Sequence, residues 1–238
     1  MTMKKKSKHG WYCKVCGQFK SNEKFSGKGR SQHICKNCQR QIQEEKLTKM
    51  QVLKMEKAQT YEQLVPQIAS LIKDVDNHVG ALANVSALLH SSFLHYFWCG
   101  FYIVKGDVLE LGPFQGEVAC YTIKKGRGVC GKAWEDKQTV VVPNVLQFPG
   151  HIACSSKSRS EIVVPVFKGE DMIAVIDVDS KGYSAFDDID KEWLEKIAKL
   201  ISPLFDTKDT PLKEIKAIVA EYQTLFVSLC TNHISLQQ

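Results

Sequence analysis

Residues 160–179 read SEIVVPVFKGEDMIAVIDVD and predict the centre of the main domain. Two apolar runs, from Glu161 to Phe167 and from Met172 to Val178, predict two strands separated by a glycine-containing turn. Side chains alternate along a strand, so Asp177 and Asp179 should share one face of the second strand. The stretch therefore predicts an antiparallel sheet with acidic groups on one side.

The segments on either side add strands and helices to this sheet. Further strands are predicted at 97–104, 108–111, 119–123 and 139–142. Apolar residues at helical spacing predict one helix after residue 60, a second before His95 and a third that Asp187 caps. Thr60 and Gln63 fit a capping box for the first, although Pro66 favours a kink or a later start. The order predicts an α+β domain with a central antiparallel sheet flanked by helices.

The composition is that of a globular protein. The chain has 238 residues, 44% of them hydrophobic, and no apolar run approaches the roughly 20 residues that span a bilayer. No secretion signal follows the N-terminal lysines, so we expect a cytoplasmic protein with reduced thiols and no membrane contact. The net charge of +6 is uneven, because the first 60 residues are strongly basic and the remainder is mildly acidic.

Two CxxC pairs in the basic segment predict a structural zinc site. The spacing of Cys13 and Cys16 relative to Cys35 and Cys38 suits four thiolates around one tetrahedral zinc. We therefore predict that residues 1–40 form a small module of the zinc-ribbon or treble-clef type, whose metal supplies its folding free energy. A pair of redox dithiols is the alternative.

Basic and aromatic residues around these cysteines raise the question of nucleic-acid binding. Trp11, Tyr12 and Phe25 would be available for stacking on bases. A solvated basic surface over a few core aromatics accounts for the same residues, so we favour a structural or protein-docking module over nucleic-acid binding. His9 and His33 are close enough in sequence to act as ligands, but with four cysteines present we expect them on the surface.

The remaining segments complete the predicted domain organisation. Residues 41–59 are strong helix formers without Gly or Pro and predict a charged connecting helix. The main domain should span residues 60–206. Residues 207–238 carry an apolar stripe that predicts an amphipathic helix, which either packs on its own domain or forms a homodimer.

Cys130 and Cys154 are candidates for redox chemistry. Cys130 lies in a glycine-rich approach to a predicted helix start, where Arg127 and the helix dipole favour the thiolate. Cys154 lies in a loop near Lys157 and Arg159, whose charges have the same effect.

The other cysteines of the main domain have different surroundings. Cys120 follows a polar turn and is the third redox candidate. Cys99 and Cys230 lie in apolar segments, where a cysteine is usually a small buried side chain.

Three carboxylates follow these cysteines along the chain. Glu161, Asp177 and Asp179 would raise one another's pKa if they cluster. One acid could then donate a proton while the others hold a cationic group. The alternative is that they pair with Lys181 or Arg159, or cap turns.

Seven short motifs, taken in order, resemble the free methionine-(R)-sulfoxide reductases, which are GAF-domain enzymes. The resemblance covers roughly residues 61–204 and leaves out the cysteine-rich module and the last segment. It is carried by WCGFY at 98–102, LGPFQG at 111–116, AC at 119–120, GRGVCG at 126–131, GHIAC at 150–154, SEIVVP at 160–165 and DVDS at 177–180.

The resemblance implies a GAF-like fold and a role for each redox cysteine. Cys154 would be the attacking thiolate, Cys120 the resolving partner and Cys130 auxiliary. The cycle would pass through a sulfenic acid and an intramolecular disulfide that thioredoxin reduces.

The resemblance also implies a binding site for a free amino acid. Free methionine sulfoxide would be bound by Glu161, Asp177 and Asp179, with Trp98 and Tyr102 covering its thioether end. No organic cofactor would be needed in this domain.

The chain departs from the family pattern at three positions. Ser155 replaces a common acid, Arg159 follows in the same loop, and Cys99 adds a thiol that we expect near the pocket. A GAF ligand or redox sensor, with the zinc module as an output domain that binds nucleic acid or a protein, is the alternative function. A sensor has no need for three cysteines and three acids, so the pattern favours the enzyme.

Overall fold

The computed structural model describes residues 10–152 and 154–205, without the side chains of residues 28–30. The predicted helix at 207–238, Cys230 and His9 lie outside these ranges. The chain divides into two compact units, Met1–Glu56 and Lys57–Gln238. Within the described ranges, no helix is both long enough and apolar enough to cross a membrane.

The first unit is organised around its four cysteines. Strands β1 (Gly10–Tyr12) and β2 (Phe19–Ser21) pair antiparallel and are followed by helix α1 (Gly27–Gln32). Three of the cysteines and Phe25 are buried together in a small core. Phe25 is 3% exposed and fills this core, as the favoured interpretation of core aromatics expects, so it is not available for stacking on bases.

Helix α2 (Lys36–Ile72) is uninterrupted and contains Pro66. The predicted helix start at Thr60 is therefore wrong. Proline inside a helix costs about 3 kcal/mol, since it removes one hydrogen bond and crowds the preceding turn. The helix continues past this point because its last turns are strongly anchored. Its buried residues there are Tyr61, Leu64, Val65, Ile68, Ala69 and Ile72.

The second unit is built on a six-stranded antiparallel sheet. The strands are β3 (Trp98–Lys105), β4 (Val108–Gln115), β5 (Thr122–Lys124), β6 (Val140–Val142), β7 (Ser160–Lys168) and β8 (Asp171–Ser180). Their order across the sheet is β5-β4-β3-β8-β7-β6. Strand β4 is longer than predicted and continues through Pro113, whereas β5 starts at Thr122 rather than at residue 119. The long hairpin of β7 and β8 confirms the strands predicted in residues 160–179.

Helices cover both faces of this sheet. The end of α2 packs on one face with α3 (His78–Ser92) and α5 (Asp188–Ile201) in a large apolar core. Asp187 caps α5, as predicted, and the structure shows that Asp190 completes a capping box with it. The other face carries the short helix α4 (Gly128–Asp136) and a second core that includes Trp98, Tyr102 and Cys130. We call the face with this smaller core the smaller face, and it holds the candidate site.

Cys99 belongs to the larger core and not to the smaller face. It is fully buried, and burial raises the pKa of its thiol. The prediction of a small buried side chain is confirmed. The expectation that Cys99 adds a thiol near the pocket is wrong, because strand alternation directs it to the face covered by α2, α3 and α5.

Candidate active site

The three predicted acids lie together on the smaller face of the sheet. Register pairs Glu161 of β7 with Asp179 of β8, while Asp177 lies two residues earlier on the same strand. Strand β3 places Trp98 opposite Asp179 from the other side. All four side chains line one pocket, and the two aspartates share a face as the alternation predicts.

Burial sets the protonation of these acids. Desolvation and neighbouring carboxylates raise the pKa of Glu161 and of Asp177 well above the ordinary range, and a hydrogen bond joins the two carboxyl groups. Burial raises the pKa of Asp179 to about 6, although the Ser158 hydroxyl donates to it. At neutral pH the Glu161–Asp177 pair therefore keeps a proton, whereas Asp179 is largely ionised.

Asp177 also has unused hydrogen-bonding capacity. Its Oδ1 atom is buried and has no hydrogen-bond partner among the described residues. Leaving a buried polar atom without a partner costs free energy, so such an atom in a pocket is available to a bound molecule.

A disulfide joins Cys120 and Cys154 beside these acids, with 5.7 Å between the Cα atoms. Cys154 is exposed and lines the pocket, and Cys120 is half-buried. The bond connects the loop that precedes β5 to the loop that precedes β7. This is the pairing that the resemblance implied.

Two aromatic side chains form a wall of the pocket and also hold the loop of Cys120. Trp98 and Tyr102 stack with ring centroids 6.0 Å apart. Trp98 Nε1 donates to the carbonyl of Glu117 at 3.0 Å, and the Tyr102 hydroxyl donates to the carbonyl of Cys120 at 3.1 Å. Each ring thus contributes both an apolar surface and a fixed position for the loop.

Cys130 lies at the start of α4, where close approach of the backbone requires glycine. A Cβ atom on Gly131 would lie 2.4 Å from the Lys124 carbonyl oxygen, and Gly128 has a φ of +62°. Cys130 is buried against Asp177, and desolvation raises the pKa of its thiol well above the ordinary value. The prediction that Arg127 and the helix dipole favour a thiolate here is therefore wrong, because burial beside acids outweighs both effects.

The nearby cations do not neutralise the acids. Arg159 donates to the backbone carbonyls of Ser156 and Ser158, and the Lys181 ammonium lies 4.3 Å from the ring centroid of Phe97. Lys157 forms an exposed ion pair with Glu117, which links the two cysteine loops a second time. The alternative in which Lys181 or Arg159 pairs with the acids is not what the structure contains.

Two pocket residues received no role from the sequence. Ser158 is buried and hydrogen-bonds to Asp179, and His151 lines the pocket with its Nδ1 atom buried. Burial lowers the pKa of His151, which favours a neutral ring. His151 stands in the GHIAC motif, so its proximity to Cys154 was available from the sequence. Nothing in the spacing indicated that Ser158 reaches Asp179.

The four N-terminal cysteines form a second cluster whose sulfur atoms lie within 4.8 Å of one another. The backbone N–H of Cys35 donates to Cys13 Sγ at 3.3 Å, and Lys20 Nζ lies 3.3 Å from Cys35 Sγ. The His33 ring packs edge-on against Trp11 instead of joining the cluster. Four converging thiols with N–H···S contacts are a donor set that could hold a soft metal ion.

Comparison with known proteins identifies the second unit. The GAF domain family matches residues 79–203. GAF domain-containing protein A of Dictyostelium discoideum is 49% identical over 153 residues, which are 64% of this chain and 96% of that protein. The free methionine-R-sulfoxide reductase of Saccharomyces cerevisiae is 42% identical over 156 residues, 62% of this chain and 87% of that enzyme.

A solved structure agrees with these relatives. The free methionine-R-sulfoxide reductase of Neisseria meningitidis, in complex with its substrate, is 48% identical with a TM-score of 0.61. The similarity covers 63% of this chain and 90% of that one. The chain therefore belongs to the GAF domain family and, within it, to the free methionine-R-sulfoxide reductases.

Proposed function

We propose that the protein reduces free L-methionine (R)-S-oxide to methionine through cysteine chemistry in residues 60–206. The observation that carries this function is the Cys120–Cys154 disulfide beside a pocket lined by three acids, of which Glu161 and Asp177 are buried. An external thiol must reduce the disulfide to regenerate the two active-site thiols. We propose thioredoxin as this reductant. This chemistry suits the reducing conditions of the cytoplasm.

Cys154 is the proposed nucleophile because it is exposed, lines the pocket and can meet substrate directly. Its thiolate attacks the sulfoxide sulfur, the S–O bond breaks, and the oxygen passes to Cys154 as a sulfenic acid while methionine leaves. Cys120 then attacks the sulfur of Cys154, and water departs as the disulfide forms. The sulfoxide is reduced by two electrons, and the two thiols are oxidised by two electrons.

The Glu161–Asp177 pair is the proposed proton donor. Attack on the sulfoxide sulfur places negative charge on its oxygen, which must be protonated. The pair keeps a proton at neutral pH because burial raises both pKa values. Cys130 remains a thiol beside Asp177 and acts as an auxiliary group that supports this carboxyl.

Asp179 is the proposed partner of the substrate ammonium group. It is the acid of the three that ionises most readily, since burial raises its pKa only to about 6. Trp98 and Tyr102 cover the thioether end of the substrate, where sulfur contacts an aromatic surface favourably.

This recognition favours a free amino acid over a residue in a peptide. A peptide-bound sulfoxide has an amide in place of the ammonium group, so the Asp179 carboxylate would be left without a cationic partner. We expect turnover on the R epimer of the free amino acid and little on the S epimer or on a peptide. Dithiothreitol-coupled assays on all three substrates test this, and equal rates on free and peptide-bound sulfoxide would refute it.

For residues 1–40 we propose a structural zinc ion held by Cys13, Cys16, Cys35 and Cys38. The convergence of four thiols supports this assignment, and three of them are buried in a core too small to fold alone. Residues 41–59 are the proposed connecting segment and residues 207–238 the proposed amphipathic segment, with a homodimer as one possible use. Nucleic-acid binding stays the less favoured role of the module.

A further inference from the structure

We propose that Val118 and Tyr121, which flank Cys120, form the docking surface for the protein dithiol that reduces the Cys120–Cys154 disulfide. This inference rests on the proposed function and adds the site at which the reductant binds. The partner is an oxidoreductase that presents its reactive thiol within an apolar surface.

The two side chains are largely exposed to solvent. Val118 is 86% exposed and Tyr121 is 84% exposed, and both lie within two residues of Cys120. Single exposed apolar residues are common, but these two flank one sulfur of the disulfide, and Val118 also lines the pocket that contains Cys154. Tyrosine in particular supplies a large contact area with little loss of conformational freedom.

The backbone that carries them is already fixed. The carbonyl of Tyr121 accepts from the N–H of Leu111 at 2.9 Å, and those of Glu117 and Cys120 accept from pocket aromatics. The loop therefore presents both side chains to solvent without needing to be ordered by a partner. A preorganised surface of this kind loses less free energy on binding.

The geometry also favours one of the two sulfur atoms as the site of attack. A thiolate of the partner reaches exposed Cys154 more easily than half-buried Cys120. Attack on Cys154 Sγ forms a mixed disulfide, breaks the Cys120–Cys154 bond and releases the Cys120 thiolate, which takes a proton. The second thiol of the partner then attacks its own mixed-disulfide sulfur and releases Cys154. The partner loses two electrons and this protein gains them.

The test separates docking from chemistry by changing the reductant. Tyr121→Ser and Tyr121→Phe are assayed on the full chain with purified thioredoxin and, separately, with dithiothreitol. Tyr183→Ser is the matched control, since Tyr183 is also exposed but lies after β8, beside Ser184, whose N–H bonds to the Pro143 carbonyl.

We expect Tyr121→Ser to lower kcat/KM for thioredoxin at least tenfold, with Tyr121→Phe near the wild type. Turnover with dithiothreitol and the KM for methionine sulfoxide should not change. An unchanged kcat/KM for thioredoxin, or an equal loss with both reductants, would overturn the docking site. Wild-type protein that is active with dithiothreitol but not with thioredoxin would also overturn it. Inactivity of the wild type with both reductants would instead refute the proposed function.

Discussion

Asp179 is the pocket acid whose protonation changes closest to physiological pH. Its folded-state pKa of about 6 is higher than the ordinary value of 3.8. Between these values the folded chain holds a proton that the unfolded chain has lost. The free energy of unfolding therefore decreases as pH rises through this window, and the ionised carboxylate destabilises the fold at pH 7.

Asp179→Asn should stabilise the fold of the protein and lower its activity. The change removes a buried charge that also raises the pKa of Glu161 and Asp177, so we expect a gain of about 1–3 kcal/mol near pH 7. The gain should disappear near pH 4, where Asp179 is protonated. Urea unfolding at both pH values measures this, with Asp171→Asn at the exposed start of β8 as the control.

Turnover by Asp179→Asn should decrease at least tenfold, because the ammonium group loses its ionised partner. A variant that is less stable at pH 7, or that keeps wild-type efficiency, would contradict the role given to Asp179.

Each redox cysteine should give a distinct result when it is replaced by serine. Cys154→Ser should abolish turnover, since it removes the nucleophile. Cys120→Ser should release about one methionine per chain and then stop, because the sulfenic acid forms but is not resolved. Cys130→Ser should still form the Cys120–Cys154 disulfide and turn over repeatedly. Rapid-quench measurement of methionine, with mass analysis of the disulfide, distinguishes the three; sustained turnover by Cys154→Ser would show that the nucleophile is misassigned.

The limits of sequence reasoning are clearest at individual side chains. Alternation along β8 predicted that Asp177 and Asp179 share a face, because that depends only on local geometry. The high pKa of Cys130 depends on burial against Asp177, which lies on another element. The bond from Ser158 to Asp179 likewise arises only when the loop before β7 folds over the sheet. Neither contact can be predicted from a pattern in the neighbouring sequence.

Helix α2 is anchored to α5 by a buried polar network. Lys57 Nζ lies 2.6 Å from Asp190 Oδ2, and Asp190 Oδ1 accepts from the Tyr61 hydroxyl at 2.9 Å. Tyr61 in turn hydrogen-bonds to Tyr96. Asp190 is fully buried, and these partners contact both of its carboxyl oxygens. These contacts hold the helix in place on both sides of residue 60. They explain why the helix continues through this position and does not begin there.

Lys57→Met should destabilise the second unit by about 2–4 kcal/mol, since it leaves the charge of Asp190 buried without its cation. Lys132→Met is the control, because Lys132 pairs with Glu135 and Asp136 on the surface of α4. We expect no measurable change on loss of these two exposed ion pairs. Urea midpoints of the two variants provide the measurement, and equal midpoints would show that the network is not stabilising.

The same helix shows why its start was misplaced from sequence. Thr60 and Gln63 have the spacing of a capping box, and Pro66 is typical of a helix boundary. Both are local signals. The packing of Tyr61, Ile68 and Ile72 into the larger core outweighs them, and that packing depends on residues more than one hundred positions away. The closing helix was predicted correctly because the Asp187 cap is itself local.

The two units should be separable in function, provided that the cut preserves Lys57. We expect a chain starting at Met50 to fold and reduce substrate, and one starting at Thr60 to be less stable because it lacks this anchor. The full chain should carry about one zinc ion and the truncated chains none. Metal analysis, urea unfolding and turnover on all three chains test this expectation. Loss of folding and of activity in both truncations would show that the first unit is required.

The order of strands in the sheet has a consequence for association. Both outermost strands, β5 and β6, are only three residues long. They leave parts of β4 and β7 uncovered, and each uncovered part contains a proline, Pro113 in one and Pro165 in the other. Proline offers no backbone N–H, so neither rim of the sheet is a good template for another strand. Within the described residues, the six-stranded sheet is therefore poorly suited to growth by strand addition at either rim.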